Sequence, residues 1–157
     1  MKKLMILGGS RYALPVIRAA HDLGLYVITC DYLPDNIAHK YSDEYCNVSI
    51  IDKEATLEAA KRLEIDGIIS FACDPGVATA AYVAEKMGLP SVGSYESVSI
   101  LQNKGKFRKF LADNDWSYRD FAEMSGLTKS AISYYANGTY RPQAKNMIIL
   151  ARMGFHE

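Results

Sequence analysis

Apolar positions in the first ninety residues come as short unbroken runs, separated by longer stretches with helical spacing. Lys3–Leu7 reads as a buried strand that stops at Gly8-Gly9-Ser10. Leu14, Val16, Ile17, Ala20 and Leu23 then recur as one helix face, with Pro15 in its first turn and Gly24 as its stop. A second strand is expected over 25–29, closed by Asp31, and a short third one over 45–48. Asp52 caps a predicted helix carrying Ala55, Leu57, Ala60 and Leu63. A fourth strand over 67–71 leads to a helix over 75–87, and Gly88-Leu89-Pro90 to a short fifth strand at Ser91 and Val92. Strands alternating with amphipathic helices predict a parallel sheet covered on both faces, an α/β domain of Rossmann-like type.

Beyond position 103 the strand runs cease. Phe107, Phe110 and Leu111 fall at helical spacing before Asp113-Asn114-Asp115 interrupts them. Ser117 reads as an N-cap with Asp120 as its capping-box partner, and Gly126 as the positive-φ end of that helix. Thr128 caps a second helix over 128–136 ended by Asn137-Gly138. Pro142 opens a third, with Ala144, Met147, Ile148, Leu150, Ala151 and Met153, ended by Gly154-Phe155. The boundaries so drawn are an α/β domain over 1–103 and a small all-α domain over 104–157.

Charge sharpens that division. Lys and Arg equal Asp and Glu at 18 each overall. Residues 1–103 hold 9 basic and 13 acidic side chains, whereas 104–157 hold 9 and 5. The second part is thus net basic, as a polyanion-binding module would be. No run of about 18 apolar residues exists, which excludes a membrane helix. The apolar stretch after Lys2-Lys3 ends after four residues, shorter than the about 7–15 of an export signal. Cys30, Cys46 and Cys73 are too far apart for a metal motif, and His21, His39 and His156 have no ligand spacing. Buried thiols in a reducing cytoplasm, with no metal and no cofactor, are expected.

In parallel sheets ligands gather beyond the carboxyl ends of the strands. Those ends supply Gly8, Gly9, Ser10, Asp31 and Asp74 as candidate ligand-binding residues. Glycines admit close backbone approach, and Asp31 lies 23 residues after Gly8, near the about 20 of a ribose-binding acid. Ser10 and Ala13 stand where a dinucleotide fingerprint has its second and third glycines. The simpler reading is that these residues only make tight strand-to-helix turns.

Gly8-Gly9-Ser10, Asp31-Tyr32-Leu33-Pro34, Tyr41-Ser42-Asp43, Asp66-Gly67-Ile68-Ile69-Ser70 and Gly88-Leu89-Pro90 form a succession, continued by Asn103-Lys104-Gly105-Lys106-Phe107. This succession resembles the N-terminal, pre-ATP-grasp domain of carbamoyl-phosphate synthetase-like ATP-grasp ligases over residues 2–114. The resemblance implies a domain that helps hold an acceptor substrate ahead of separate ATP-binding lobes. Lys104 matches a lysine at the edge of the nucleotide region in that family. Too few residues follow position 114 for the lobes, so no catalytic residues and no enzyme activity are expected of this chain.

Phe121-Ala122, Ser125-Gly126-Leu127-Thr128, Ile132-Ser133, Asn137-Gly138, Arg141-Pro142 and Leu150-Ala151 resemble the lambda-repressor and Cro-like helix-turn-helix family. The resemblance makes 128–136 a recognition helix presenting Lys129, Ser130, Ser133 and Tyr134 to the major groove of double-stranded DNA, with its cap Thr128 also among the DNA-binding residues. Tyr118, Asn137, Thr139 and Arg141 would clamp the phosphate backbone, and Tyr135 would pack. Ala136 departs from the family, which often has an acid there to brace the turn.

Residues 104–114 fit both families, so one continuous helix from about 97 to 114 is expected to serve both domains. The function expected is a sequence-specific DNA-binding regulator, homodimeric, with a dimerising domain or one that senses a small-molecule or nucleotide effector. The alternatives are a ligase subunit whose ATP lobes come from another chain, and a helical tail that contacts protein only.

Overall fold

Successive side chains of a strand point to opposite faces of a sheet, and here both faces are apolar. In the computed structural model, which describes residues 1–153, the strands are β1 (Lys3–Leu7), β2 (Tyr26–Cys30), β3 (Glu44–Cys46) and β4 (Gly67–Ser70). All pairings are parallel, in the order β3-β2-β1-β4. Met5, Leu7, Ile28, Cys30, Cys46 and Ile68 point to one face, against helices α2 (Lys53–Leu63) and α3 (Val77–Met87). Ile6 and Val27 point to the other, against α1 (Leu14–Asp22) through Ile17 and Ala20. Two-sided burial explains why these strands read as unbroken apolar runs.

Asp52 caps α2 as expected, its side chain accepting the Ala55 amide. The predicted helix over 75–87 divides into a short 3₁₀ turn, Asp74–Gly76, and α3 proper. No strand forms at Ser91 and Val92. After Gly88 ends α3 with φ +67, the chain bends through residues 89–93 until Ser94 caps α4 (Tyr95–Gln102). Pro90 lacks a ladder donor and Val92 stands exposed, so two residues gain nothing from pairing.

The continuous helix predicted from 97 to 114 is likewise two helices. Asn103 leaves helical geometry (φ −121, ψ 108) and its Oδ1 accepts the Gly105 and Lys106 amides. It thereby starts α5 (Lys104–Asp113) afresh. Then come α6 (Tyr118–Ser125), α7 (Lys129–Asn137) and α8 (Ala144–Arg152). The predicted stop at Gly154-Phe155 lies outside the described residues.

The chain divides into two compact units, Met1–Ser91 and Val92–Glu157. The second has its own core: Leu101, Phe107, Leu111, Phe121, Ile132, Met147 and Leu150, all buried. Phe121 meets Phe107 edge-on at 5.4 Å and stacks on Trp116 at 5.9 Å. Among the described residues, no helix is long and apolar enough to cross a membrane.

Candidate functional site

At the carboxyl end of the sheet, Gly8 turns the chain with φ +103 and its amide donates to Cys30 O at 2.8 Å. The next amide, of Gly9, donates to Asp31 Oδ2 at 2.8 Å. The same oxygen accepts Asn36 Nδ2 at 3.1 Å, and Oδ1 accepts the Leu33 amide at 3.1 Å. Asp31 is buried. It therefore ties the β1 turn to the loop that follows β2.

That loop closes over Gly9. A β-carbon there would lie 2.5 Å from His39 Cε1 and 2.7 Å from Asn36 Cβ. Ala38 donates back to Gly9 O at 3.0 Å. His39 is fixed by Thr29 Oγ1 at Nδ1 (2.8 Å) and by Leu33 O at Nε2 (3.0 Å), and its ring lies 4.0 Å from that of Tyr45. Asn36 and His39 are thus the clamps of this turn. No motif marks them in the sequence, because they act only through the loop's return.

Ser10 is exposed and its carbonyl accepts the Ala13 amide, starting a 3₁₀ turn. Asp74 is exposed and starts the turn after β4. That segment comes close to the β1 turn through Cys73, whose Sγ lies 3.1 Å from where a Gly8 β-carbon would be. Gly8, Gly9 and Asp31 therefore form one hydrogen-bonded unit, with Ser10 beside it and Asp74 on the neighbouring loop.

The cysteines are free thiols. Cys30 and Cys46 are buried, paired in register across β2 and β3, while Cys73 is half-buried. A hydrogen bond to Cys46 and burial together push the Cys30 thiol up, and burial pushes up that of Cys73. Among the described residues, no group of three or more His, Cys, Asp or Glu is placed to hold a metal ion.

In the helical unit, local chemistry sets the ends of α6 and α7. Ser117 and Asp120 form the complete capping box: Ser117 Oγ accepts the Asp120 amide at 3.2 Å, and Asp120 Oδ2 accepts the Ser117 amide at 2.8 Å. Those bonds to Ser117 hold the Asp120 carboxyl below the usual carboxylate range. Gly126 ends α6 with φ +69, and Ser125 Oγ accepts the Leu127 amide across the turn. Thr128 Oγ1 accepts the Ala131 amide at 3.1 Å and starts α7.

One side of α7 then faces the core through Ile132 and Ala136, both fully buried. Thr128, Lys129, Ser130 and Tyr134 are exposed, and Ser133 is half-buried. Beyond the helix, Asn137, Thr139 and Arg141 are exposed as well. Asn137 Nδ2 donates to Ser133 Oγ at 3.3 Å, and Tyr134 meets Tyr140 edge-on at 5.4 Å. Tyr118 is half-buried against the helical core, so its ring is partly used in packing. Tyr135 is also half-buried, with its hydroxyl accepting Asn146 Nδ2 at 2.8 Å.

Ala136, at the place of the bracing acid, is fully buried. An apolar methyl fills that place in the core, and backbone bonds hold the turn. Gly138 sits at φ +72, and the Thr139 amide donates to Tyr134 O at 2.9 Å.

Residues 107–153 match the helix-turn-helix family. No curated protein matches the chain in sequence. Among solved structures, phosphoribosylglycinamide synthetase from Anaerococcus prevotii is similar at 24% identity and a TM-score of 0.65, over 73% of this chain and 29% of that one. N5-carboxyaminoimidazole ribonucleotide synthetase from Thermotoga maritima gives 26% and 0.56, over 73% and 31%. The L-amino acid ligase from Bacillus licheniformis gives 21% and 0.57, over 74% and 31%. This chain spans less than a third of the length of each. The shared region is the fold of their pre-ATP-grasp domains. The chain therefore joins a Rossmann-like sheet unit of pre-ATP-grasp fold to a module, residues 107–153, of the helix-turn-helix family.

Proposed function

We propose that this chain is a sequence-specific DNA-binding protein, a transcriptional regulator whose helix α7 enters the major groove. The observation that carries the reading is the polarity of α7. Ile132 and Ala136 are sealed in the core while Lys129, Ser130 and Tyr134 project from a helix fixed at both ends. In this reading Lys129, Ser130 and Ser133 donate to base edges, and Tyr134 meets a phosphate or a thymine methyl. Thr128, Asn137, Thr139, Arg141 and the hydroxyl of Tyr118 hold the backbone. The match of residues 107–153 to the helix-turn-helix family supports it, as does the basic excess after position 103.

One such module buries little surface, and two on a palindromic site multiply specificity. The sheet unit is accordingly assigned dimerisation, or the sensing of a small-molecule or nucleotide effector at Gly8, Gly9, Ser10, Asp31 and Asp74. Gel retardation on a random duplex pool tests the core of the reading. Retarded complexes should form at micromolar protein near 50 mM salt and disappear as salt rises, since phosphate contacts release counterions. No retardation under those conditions sinks it.

The likeness of the sheet unit to ligase domains favours a second reading, a ligase subunit completed by a partner chain. Thermal stabilisation by ATP, bicarbonate or amino acids, without any DNA affinity, would select it.

A further inference from the structure

Cys30 and Cys46 have no role in either reading of the chain, yet they stand in register as partners across β2 and β3. Both side chains lie in the core cluster on the face covered by α2 and α3. The Cys30 thiol is hydrogen-bonded to the Cys46 sulfur, so the two sulfurs are neighbours. Cys30 Sγ also lies 3.6 Å from Val48 O. The backbone ties the pair to the carboxyl end of the sheet. Cys30 O accepts the Gly8 amide at 2.8 Å, and Cys46 O accepts the Asp31 amide at 3.2 Å.

Neighbouring strands run about 4.7–4.9 Å apart, within the about 4.4–6.8 Å that separates the α-carbons of a disulfide. The β-carbons of a disulfide stand closer, at about 3.8 Å, so a bond here draws β3 inwards by about 1 Å. The strand is free to make that move. It is three residues long and pairs on one edge only. Cys73 has no such route, because it follows β4, and β1 stands between β4 and β2. Two strand spacings exceed the about 7 Å beyond which cysteine α-carbons are not bridged.

We propose that Cys30 and Cys46 are an oxidation site, closing to a reversible disulfide within the sheet when the protein meets hydrogen peroxide. Cys46 is the sulfur that attacks. The hydrogen bond from Cys30 holds its thiol below the usual range, burial opposes this, and the Arg62 charge assists it. The Cys46 thiolate takes one peroxide oxygen: an S–O bond forms, O–O breaks and hydroxide leaves. Cys30 sulfur then attacks the sulfenic sulfur. The S–S bond forms, S–O breaks, and the departing hydroxide takes the Cys30 proton as water. With the Cys46 proton on the first hydroxide, two thiols are oxidised and one peroxide is reduced to two waters. The inward pull on β3 strains the bond and makes it easier to reduce, as a switch requires and a permanent staple does not.

Peroxide treatment of the folded full chain, followed by thiol alkylation and a non-reducing tryptic mass map, tests the site. Cleavage after Arg18, Lys40 and Lys53 puts Cys30 in the peptide 19–40 and Cys46 in 41–53. Those two peptides should appear joined, and free thiols should fall from the three of the sequence to one. Dithiothreitol should return all three. Cys73→Ala should form the same cross-link and end with no free thiol, a result that does not depend on altering either partner. The same treatment in urea should give mixed pairings, which separates the folded geometry from chance encounter. Absence of the 19–40/41–53 cross-link in the folded protein overturns the proposal. So do a cross-link through Cys73, pairings as mixed as those in urea, or disulfides between chains on a non-reducing gel. Cys46 carried on to sulfinic acid while Cys30 stays a thiol would overturn it as well, since the pair would then not close.

Discussion

Asp31 Oδ2 accepts the Gly9 amide at 2.8 Å. The acid that the sequence spacing offers to a ribose is thus bonded to the glycine turn that would meet a phosphate. With Asn36 and the Leu33 amide on the same carboxylate, the turn and the loop after β2 form one unit. An effector that took the Gly9 amide or the Asp31 carboxylate would exchange for these bonds, and so would move the loop as it bound.

Asp31→Asn should accordingly destabilise the sheet unit by about 1–3 kcal/mol, the cost of leaving buried donors unmatched. An amide places an N–H where three donors converge on a carboxylate. Urea denaturation followed by a probe confined to residues 1–91 measures it. A loss of a few tenths only would mean that the loop holds without Asp31.

Acid should weaken both units through two carboxylates. Asp43 Oδ2 accepts the Val27 amide at 2.7 Å, the main cause of its lowered pKa, and His21 Nε2 at 2.9 Å. Asp120 is lowered by its two bonds with Ser117. A carboxyl whose folded pKa lies below its unfolded value contributes stability that is complete above that value, about 3.9, and is lost as pH falls through the folded one. Asp43→Asn should flatten the acid limb of the sheet unit alone, and Asp120→Asn that of the helical unit alone. Stability profiles from pH 2 to 7 on the two variants check the assignment.

The helix ends and strand runs of this chain were legible because each rests on local chemistry. Ser117, Gly126, Thr128 and Gly138 act on backbone groups within four residues of themselves, and β1 shows its two-sided burial directly in its apolar run. The break at Asn103 was missed for a related reason. Apolar spacing on either side of it continues, while the cap depends on one side-chain oxygen taking two amides. The expected fifth strand failed because Ser91 and Val92 alone cannot repay the ordering of a ladder. At the candidate sites, Asn36 and His39 act across the loop, and Lys104 lies over Gly138 only through the return of the chain after α7. Contacts of that kind leave no spacing to read.

Lys129→Glu should weaken DNA binding and lower the slope of log K against log salt by about 1, if the residue neutralises one phosphate. If Lys129 reads a base instead, the slope should hold while sequence preference relaxes. Retardation at several salt concentrations on one selected duplex separates the two. Unchanged affinity would remove α7 from the interface.

Ala136→Glu tests whether this module can accept the acid that its family often carries. Ala136 is fully buried among apolar side chains of the core that includes Leu111 and Ile132, and the turn after it already has its backbone bonds. A carboxylate there would lose its water without gaining a shown cation partner, so it would take up a proton or force the helices apart. The expected loss is about 2–4 kcal/mol in the helical unit, on the scale of an unmatched buried polar group with overpacking added. Thermal denaturation at pH 5 and pH 8 checks the cause, because a glutamate held protonated by burial has a raised folded pKa. Its penalty should then grow as pH rises above about 4.3, where the unfolded chain ionises. A variant as stable as the parent at pH 8 would mean that the acid finds a partner at the turn.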